Sequence, residues 1–297
     1  MQRIGIDLGG TKIEGVVLDE GNQVVVRSRV ATESAAGYEH IVERVGSIAA
    51  ELLQLAPDCP MVGIGTPGAV SQRTGRMKNC NTVCLNDRDL PGDLQRCIGR
   101  PVRVENDANC FVLAEATCGS AKGAEVVFGV IIGTGVGGGI VCDGKLLRGP
   151  QRIAGEWGHH SIDPNGPDCY CGQKGCVEQY ISGPAVERQY RRETNETATM
   201  TEIVARARGG EAAASSVMAA FIDRFGRALA NVVSILDPDV IVLGGGLSNV
   251  NRLYANVPRL WAPFVFSDSV STPLRRAAHG DSGGVRGAAW LWGRPAA

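Results

Sequence analysis

Three glycine-rich turns, each placed after a short aliphatic run, constrain this chain more than any other feature. The turns begin at Gly9, Gly133 and Gly244, and they follow the runs RIGIDL, VVFGVII and DVIVL. Runs of this kind ending in glycine predict buried strands. Glycine weakens a strand, so clustered glycines indicate a ligand lying against the backbone. Together the turns predict one nucleotide held between two domains, with two turns at its phosphates and one at its adenosine.

The first turn reads D-L-G-G-T-K over residues 7–12. It lacks the spacing of a Walker P-loop, and it does not open a helix as a dinucleotide-binding turn does. Its backbone N–H groups are nevertheless suited to phosphate oxygens, Lys12 adds positive charge, and Asp7 could hold Mg²⁺ through water. The alternative is an ordinary hairpin turn, and this stretch alone does not decide between the two.

The pattern of apolar residues predicts a mixed α/β protein with two similar halves. Each half opens with strand, glycine-rich turn and strand, and the domain boundary is expected near residue 118. Strands are predicted at 3–9, 13–18, 24–30, 61–65, 102–105, 126–132, 139–142, 145–147 and 239–243. Helices are predicted at 38–55, from about 107 to 116, at 183–207 and at 215–235, with a last helix near the C-terminus.

One imidazole and three thiols lie close together between residues 155 and 178. His159, Cys169, Cys171 and Cys176 form the pattern H-x9-C-x-C-x4-C. Sulfur ligands with one nitrogen at short spacing are typical of a closed, structural Zn²⁺ site. A disulfide or an unmetallated thiol cluster is the alternative. A zinc site here would also orient the flanking carboxylates Glu156 and Glu178. The alternative for these two residues is that they are ordinary surface glutamates.

Asp107 follows the predicted strand VRVE and precedes a helix. Ligands of α/β folds bind at this end of the strands, and a carboxylate at a helix N-terminus stays ionised. It could therefore take a proton from a substrate hydroxyl. The alternative is a helix-capping aspartate, which spacing alone favours.

The turn at Gly68 is a further substrate-loop candidate, although by itself it reads as a plain turn.

Composition excludes several classes of protein. The formal net charge of −1 gives no reason to expect nucleic acid or an anionic membrane as a partner. No apolar run is long enough to span a membrane, and no signal peptide is recognisable. The ten cysteines are too sparse in a chain of 297 residues for a disulfide framework. We therefore expect a cytoplasmic protein with reduced thiols.

In this order, the motifs D-L-G-G-T-K, G-I-G-T-P-G, E-N-D-A-N, G-T-G-V-G-G-G, G-E-W-G-H, C-x-C-G-x-x-G-C-x-E and L-G-G-G-L resemble the ROK family from residue 3 to about 293. The resemblance implies a two-domain actin/hexokinase-like ATPase fold, related to ribonuclease H, with ligands in the interdomain cleft. The first domain would span 1–118, joined by the C-terminal helix at about 283–297. The second would span 119–282 and carry the inserted zinc segment 155–178.

The resemblance also implies residue roles. Asp107 would be the base that deprotonates the attacking sugar hydroxyl, and one ring nitrogen of His159 would bind Zn²⁺ while the other faces the sugar. The sugar-binding residues would be Gly68, Asn81, Asn106, Asp107, Glu156, His159 and Glu178. ATP and Mg²⁺ would be held by Gly5, Asp7, Gly9, Gly10, Thr11, Lys12, Gly133, Thr134, Gly135, Gly244, Gly245 and Gly246.

Within the family, the sequence is most similar to the bacterial manno(fructo)kinases and fructokinases. We therefore expect phosphorylation of D-fructose at its 6-hydroxyl by a homodimer. The C-terminal tail also resembles the N-acetylglucosamine kinases, which with glucokinases and mannokinases are the alternative. A sugar-sensing repressor is disfavoured because the phosphate loop starts at residue 5 and the charge is not basic. The path of the 160–168 loop is left open by the nine-residue gap between His159 and Cys169.

Overall fold

The computed structural model describes residues 2–293, which contain twelve strands and nine α-helices. The strands are β1 (Arg3–Leu8), β2 (Lys12–Leu18), β3 (Val24–Ala31), β4 (Val62–Thr66), β5 (Ala69–Val70), β6 (Met77–Lys78), β7 (Val102–Asn106), β8 (Val126–Ile132), β9 (Val136–Cys142), β10 (Lys145–Leu146), β11 (Val240–Gly244) and β12 (Leu274–Arg276). The helices are α1 (Tyr38–Leu55), α2 (Leu90–Ile98), α3 (Asp107–Cys118), α4 (Glu178–Ile181), α5 (Gly183–Thr194), α6 (Met200–Arg208), α7 (Ala212–Leu236), α8 (Arg252–Trp261) and α9 (Gly283–Trp290).

Two five-stranded sheets organise the chain, with the orders β3-β2-β1-β4-β7 and β10-β9-β8-β11-β12. In the first, β1, β2 and β3 form the predicted antiparallel meander, and β4 and β7 are added in parallel. In the second, β11 is parallel to both β8 and β12. The ends of β1, β4 and β7 in the first sheet, and of β8 and β11 in the second, carry the turns and side chains that the sequence singles out. Within each sheet, parallel strands bring their carboxyl ends to the same edge.

Contacts divide the chain into two compact units. The first unit runs to Gly123 and also contains Ile140–Ala154 and the chain from Ala278 onward, and the second contains Ala124–Gly139 and Gly155–Ala277. This division departs from the predicted 119–282 domain at Ile140–Ala154, where β10 packs on α3 of the first unit. The last four residues of the predicted C-terminal helix lie outside the described residues.

In the first unit, α9 packs on the backbone of β1 and β4. A Cβ added to Gly5 would lie 2.2 Å from the carbonyl oxygen of Val285, and one added to Gly63 would lie 1.8 Å from that of Ala288. On the other side of the helix, a Cβ on Gly287 would lie 1.6 Å from the carbonyl oxygen of Cys110 in α3. Glycine at these positions therefore lets α9 lie against both the sheet and α3.

Two predicted elements differ from the structure. The helix predicted at 183–207 is divided into α5 and α6, because Asn195 adopts a left-handed conformation and a capping box of Thr199 and Glu202 starts the next helix. Gly137 and Gly138, predicted as loop, belong to strand β9, which begins three residues before the predicted strand at 139–142. A Cβ on Gly138 would lie 2.7 Å from Trp157 Cδ1, so close side-chain packing explains this glycine.

Two elements of the second unit, α8 and β12, were absent from the sequence prediction. Pro258 lies inside α8 and interrupts the sequence signal for a helix, although the helix buries Leu253, Val257 and Trp261. Strand β12 has only three residues, two of them exposed arginines. Across residues 2–293, every helix is too short or too polar to cross a bilayer.

Candidate active site

Asp7 lies near the end of β1, beside two glycines that leave room for its carboxylate. A Cβ on Gly284 would lie 2.9 Å from Asp7 Oδ2, and one on Gly65 would lie 3.4 Å from Oδ1. The following turn is closed by a hydrogen bond from Gly9 N to Lys12 O of 3.0 Å. Gly10 at its tip is exposed. The predicted phosphate turn is therefore an open hairpin turn next to a partly buried carboxylate.

Asp107 is the first residue of helix α3, and Asn106 caps that helix. Asn106 Oδ1 accepts hydrogen bonds from Ala108 N at 2.9 Å and Asn109 N at 3.3 Å. Asp107 Oδ1 also accepts from Ala108 N, at 2.8 Å. Because Asn106 fills the capping position, the alternative reading of Asp107 as the helix cap loses its main support. The Asp107 side chain is exposed to solvent despite the protein around it.

The two aspartates have raised pKa values. Burial, and after it the negative charges of Asp107 and Glu14, raise the pKa of Asp7 to about 7, while the charge of Lys12 opposes this rise. Burial by the surrounding protein also raises the pKa of Asp107, against the lowering effect of hydrogen bonds from Ala108, its own amide and Asn106. Solvent still reaches Asp107, so this rise would be largest when a ligand excludes water. A raised pKa makes each carboxylate a stronger proton acceptor.

Three predicted sugar-binding positions of the first unit lie near one another. Gly68 has a φ of 77°, and a Cβ there would lie 2.4 Å from Lys78 O and 2.6 Å from Cys80 Sγ. Asn106 Nδ2 donates to Gly68 O at 3.3 Å. Asn81 is exposed next to Cys80, whose amide is held by Asn86 Oδ1 at 2.9 Å. Gly68, Asn81 and Asn106 thus belong to one cluster beside Asp107.

In the second unit, Glu178 holds the turn between β8 and β9. Its side chain is 9% exposed, and Oε2 accepts a hydrogen bond from Val136 N at 2.8 Å. A Cβ on Gly135 would lie 2.8 Å from the same oxygen. Gly183 N donates to Gly133 O at 2.9 Å, which pins the other side of the turn. Glu178 therefore commits one carboxylate oxygen to the backbone of this turn.

The third glycine-rich turn follows β11. Gly245 has a φ of 79°, and a Cβ there would lie 2.4 Å from Ile132 O at the end of β8. Space around Gly246 is open among the described residues, and its backbone is exposed. Backbone strain and close approach thus explain Gly245, while Gly246 remains accessible to a ligand.

The four predicted metal ligands come together. One ligand atom from each of His159, Cys169, Cys171 and Cys176 lies within 4.8 Å of all the others. Cys171 Sγ and Cys176 Sγ are 3.5 Å apart, and Cys169 Sγ is 3.6 Å from His159 Nδ1. Ligands of a tetrahedral zinc site are separated by roughly 3.3–3.8 Å, given bond lengths of about 2.1–2.3 Å. Donor set and spacing therefore fit Zn²⁺.

The backbone around this cluster is tightly folded. Gly175 has a φ of 61°, and a Cβ there would lie 1.8 Å from Asp163 O. Ser161 Oγ donates to Lys174 O at 2.6 Å, and Tyr180 OH donates to Asp163 Oδ2 at 2.7 Å. The 160–168 loop, whose path the sequence left open, therefore packs against the segment that carries the cysteines.

Trp157 and Tyr170 complete the surroundings of His159. Trp157 Nε1 donates to Gly137 O at 3.0 Å, and its ring packs against Phe128 and Phe225, which fixes the start of the segment. His159 Nε2 lies 3.0 Å from Tyr170 OH. This ring nitrogen was predicted to face the sugar, and here it contacts a tyrosine that is 75% exposed.

Gly5 is the first of the predicted nucleotide-binding residues, and the structure gives it a packing role. It is buried in the middle of β1, and its lack of a side chain is explained by the packing of α9.

Sequence reasoning missed three charged residues of the first unit. Glu14, 2% exposed, is the cross-strand partner of Asp7 and forms ion pairs with Lys12, Arg27 and Arg29. Glu105 is 8% exposed and pairs with Arg148. Glu105 directly precedes Asn106, which was a usable signal, whereas Arg148 lies far away in the sequence.

Comparison with known proteins places the chain in a family. The model of the ROK family matches residues 3–294. N-acetyl-D-glucosamine kinase of Photobacterium profundum is 39% identical and covers 97% of this chain and 98% of its own length. The enzyme of the same name from Yersinia enterocolitica is 36% identical, again over 97% of this chain and 98% of its own.

Solved structures agree with the observed fold. A ROK hexokinase from Thermus thermophilus is 33% identical, with a TM-score of 0.86 and 97% of each chain covered. A ROK glucokinase from Streptomyces griseus, crystallised with glucose and AMPPNP, is 29% identical, with a TM-score of 0.83 over 98% of this chain and 99% of its own. The chain therefore belongs to the ROK family and has the two-domain fold of that family's sugar kinases.

Proposed function

We propose that this protein is an ATP-dependent sugar kinase whose preferred substrate is N-acetyl-D-glucosamine. The observation that carries the kinase assignment is the position of Asp107, a carboxylate with a raised pKa at the start of α3. Asn106 caps this helix, so Asp107 is not needed as its cap. Several relatives that are 36–39% identical are N-acetyl-D-glucosamine kinases. The expectation of D-fructose finds no support among them, so the alternative becomes the main proposal.

The proposed reaction needs a single base. Asp107 accepts the proton of the sugar 6-hydroxyl, whose oxygen attacks the γ-phosphorus of ATP while the bond to the bridging oxygen of ADP breaks. Partial burial raises the pKa of Asp107, which strengthens it as a proton acceptor. Asn106 caps α3 through Ala108 N and Asn109 N, and so fixes the direction of the first turn.

The sugar-binding roles are carried over from the family resemblance and remain proposals. Gly68, Asn81 and Asn106 would contact sugar hydroxyls from the first unit, where they are neighbours. Glu156, His159 and Glu178 would do so from the zinc segment. The contact of Tyr170 OH with His159 Nε2 means that a sugar hydroxyl at this nitrogen would have to replace the tyrosine.

The nucleotide would lie on the backbone of the glycine-rich turns, at Gly9 to Lys12, Gly133 to Gly135 and Gly244 to Gly246. Asp7 suits Mg²⁺, because its carboxylate lies near the negative charges of Asp107 and Glu14, with Lys12 opposing them. When bound, Mg²⁺ would supply neutralising charge to the phosphates. Lys12, 42% exposed at its side chain, would add a further positive charge.

Zn²⁺ would be structural, held by His159, Cys169, Cys171 and Cys176. Four protein ligands close the site, so the ion would stabilise the fold of the segment. Glu156 and Glu178 flank these ligands in the chain, and their orientation would depend on that local fold. We also propose a cytoplasmic homodimer, as expected from the sequence.

A coupled assay of ADP release with N-acetyl-D-glucosamine, D-fructose, D-mannose and D-glucose tests the proposal. We expect kcat/KM to be highest for N-acetyl-D-glucosamine. A higher value for D-fructose would replace the substrate assignment and leave the kinase assignment standing. Absence of turnover with every sugar at millimolar concentration, in folded protein with ATP and Mg²⁺, would overturn both.

A further inference from the structure

Glu105 is a buried carboxylate placed directly before Asn106 and Asp107. Its side chain is 8% exposed. Oε1 accepts hydrogen bonds from Asn106 N at 3.1 Å and from Asn109 Nδ2 at 3.1 Å. These two bonds hold the residue that caps α3 and the side chain one turn further along, so Glu105 fixes the backbone on both sides of Asp107.

Arg148 is the counterion of Glu105. Arg148 Nε donates to Glu105 Oε2, the oxygen that the helix start does not use, and the arginine side chain is 35% exposed. Among the described residues, this is the ion pair that Glu105 makes. A buried carboxylate without a cation is costly, so the arginine compensates the charge of Glu105 while its other oxygen accepts both hydrogen bonds.

Arg148 also begins a segment that contacts the predicted sugar-binding cluster at another point. The segment Arg148–Ala154 is closed by hydrogen bonds from Ala154 N to Arg148 O at 3.4 Å and from Arg152 N to Gly149 O at 3.2 Å. Lys78 Nζ donates to Gln151 O at 2.9 Å. Arg148, at one end of the segment, therefore contacts the residue before the start of α3. Gln151, in its middle, contacts Lys78 of β6, the strand that leads to Asn81.

We propose that Arg148 is a positioning residue for the catalytic carboxylate. Through Glu105 it fixes the first turn of α3, and so the direction in which Asp107 receives the proton of the sugar hydroxyl. This inference rests on the proposed function for its kinetic consequence. Its structural content, the dependence of the α3 start on Arg148, holds for the free protein as well.

The kinetic test compares Arg148→Met, Arg148→Lys and Glu105→Gln with the matched control Arg152→Asn. The control removes a positive charge from the same segment, and asparagine tolerates the φ of 57° at residue 152. Arg148→Met should lower kcat roughly 10- to 100-fold, as expected for a displaced catalytic group, and leave the KM for ATP nearly unchanged. Arg148→Lys should recover much of the loss, because lysine restores the charge.

A double-variant comparison separates positioning from general destabilisation. With Glu105→Gln in place, the further change Arg148→Met should cost less than it does in the wild type, because the partner charge is gone. Equal costs in the two backgrounds, or a kcat per folded molecule that Arg148→Met leaves unchanged, would overturn the inference while a wild-type kinase activity upheld the proposed function.

Hydrogen exchange tests the structural part without turnover. In Arg148→Met, the amides of Ala108 and Asn109 should exchange faster than in the wild type, and in Arg152→Asn they should not. If the wild type phosphorylated none of the sugars, the proposed function would fail, and this measurement would still decide the inference. Unchanged exchange at both amides in Arg148→Met would overturn it.

Discussion

At the scale of single residues, burial raises the pKa of both Asp7 and Asp107, although the roles proposed for the two carboxylates differ. Asp7 lies between Gly65 and Gly284 and is surrounded by like charge from Asp107 and Glu14. Such an arrangement destabilises the ionised carboxylate in the free protein and favours a bound cation. Function is therefore expected to cost stability at this position.

The pH dependence of stability should reveal this cost. In the unfolded chain Asp7 ionises near 3.8, and in the folded chain at about 7. Between these values the unfolded chain releases a proton that the folded chain keeps, so stability falls as pH rises to about 7. The Asp7→Asn variant has no carboxyl group at this position and should not lose stability in this way. At pH 7.5 without Mg²⁺, its free energy of unfolding should exceed that of the wild type by about 3 kcal/mol, as a pKa shift of about three units implies after some solvent screening.

Urea unfolding of both proteins at pH 4 and pH 7.5 measures this difference, which should be close to zero at pH 4. The control is Asp58→Asn at an exposed aspartate, which should produce no comparable pH-dependent gain. If the difference in unfolding free energy between Asp7→Asn and the wild type were the same at both pH values, the raised pKa would be contradicted.

Asp107→Asn should abolish most turnover without unfolding the protein. Asparagine keeps an oxygen that can accept the 2.8 Å hydrogen bond from Ala108 N, so α3 should start as before. It cannot accept the substrate proton, and kcat should fall by about 10²- to 10⁴-fold. Steady-state kinetics measures the loss of turnover, and circular dichroism checks that the variant is folded. A variant that remained active would show that Asp107 is not the base.

At the scale of elements, the segment from Gly155 to Glu178 has few regular elements and depends on specific contacts. A short helical turn at Trp157–His159 and the four-residue helix α4 are its regular parts. Trp157 anchors it on aromatic side chains, and the thiol cluster holds its middle. Metal binding and local folding should therefore be coupled.

Loss of one zinc ligand should lower stability and sugar affinity together. Protein purified without added zinc should contain about one Zn²⁺ per chain. Cys171→Ser should lose the metal, lower Tm by roughly 5 °C or more, and raise the KM for the sugar. The control Cys97→Ser changes an exposed thiol outside the cluster. Active wild-type protein with negligible zinc would refute the metal assignment.

At the scale of the whole molecule, each unit carries its own part of the proposed chemistry. The first carries Asp7, Lys12 and Asp107, and the second carries the turns at Gly133 and Gly244 and the thiol cluster. A single unit therefore lacks part of the residue set that the proposal requires.

Light scattering tests the predicted homodimer. The measured mass should be twice the 31.2 kDa of one chain. In the second unit, Ile235 is 87% exposed and Phe266 is fully exposed, and such apolar side chains are the kind that a subunit contact covers. A mass of one chain across micromolar concentrations would contradict the prediction.

Much of the site could be predicted because its signals are local. The strands before the turns, the helix Tyr38–Leu55, the cluster of His159 with three cysteines and the position of Asp107 at a helix start are each read within a short window of sequence. The prediction missed α8, in which Pro258 interrupts the pattern. It also joined α5 to α6, although the capping box at Thr199 and Glu202 was readable.

The sequence by itself determined the family, the order of the elements and the identity of the chemical groups, because strand periodicity, turn chemistry and ligand spacing act between near neighbours. Tertiary structure alone decided what those groups contact. Gly5 packs against α9, Glu178 holds Val136, and Arg148 is paired with Glu105. The partners in these contacts are distant in sequence, and their approach depends on packing of whole elements, which no local pattern encodes.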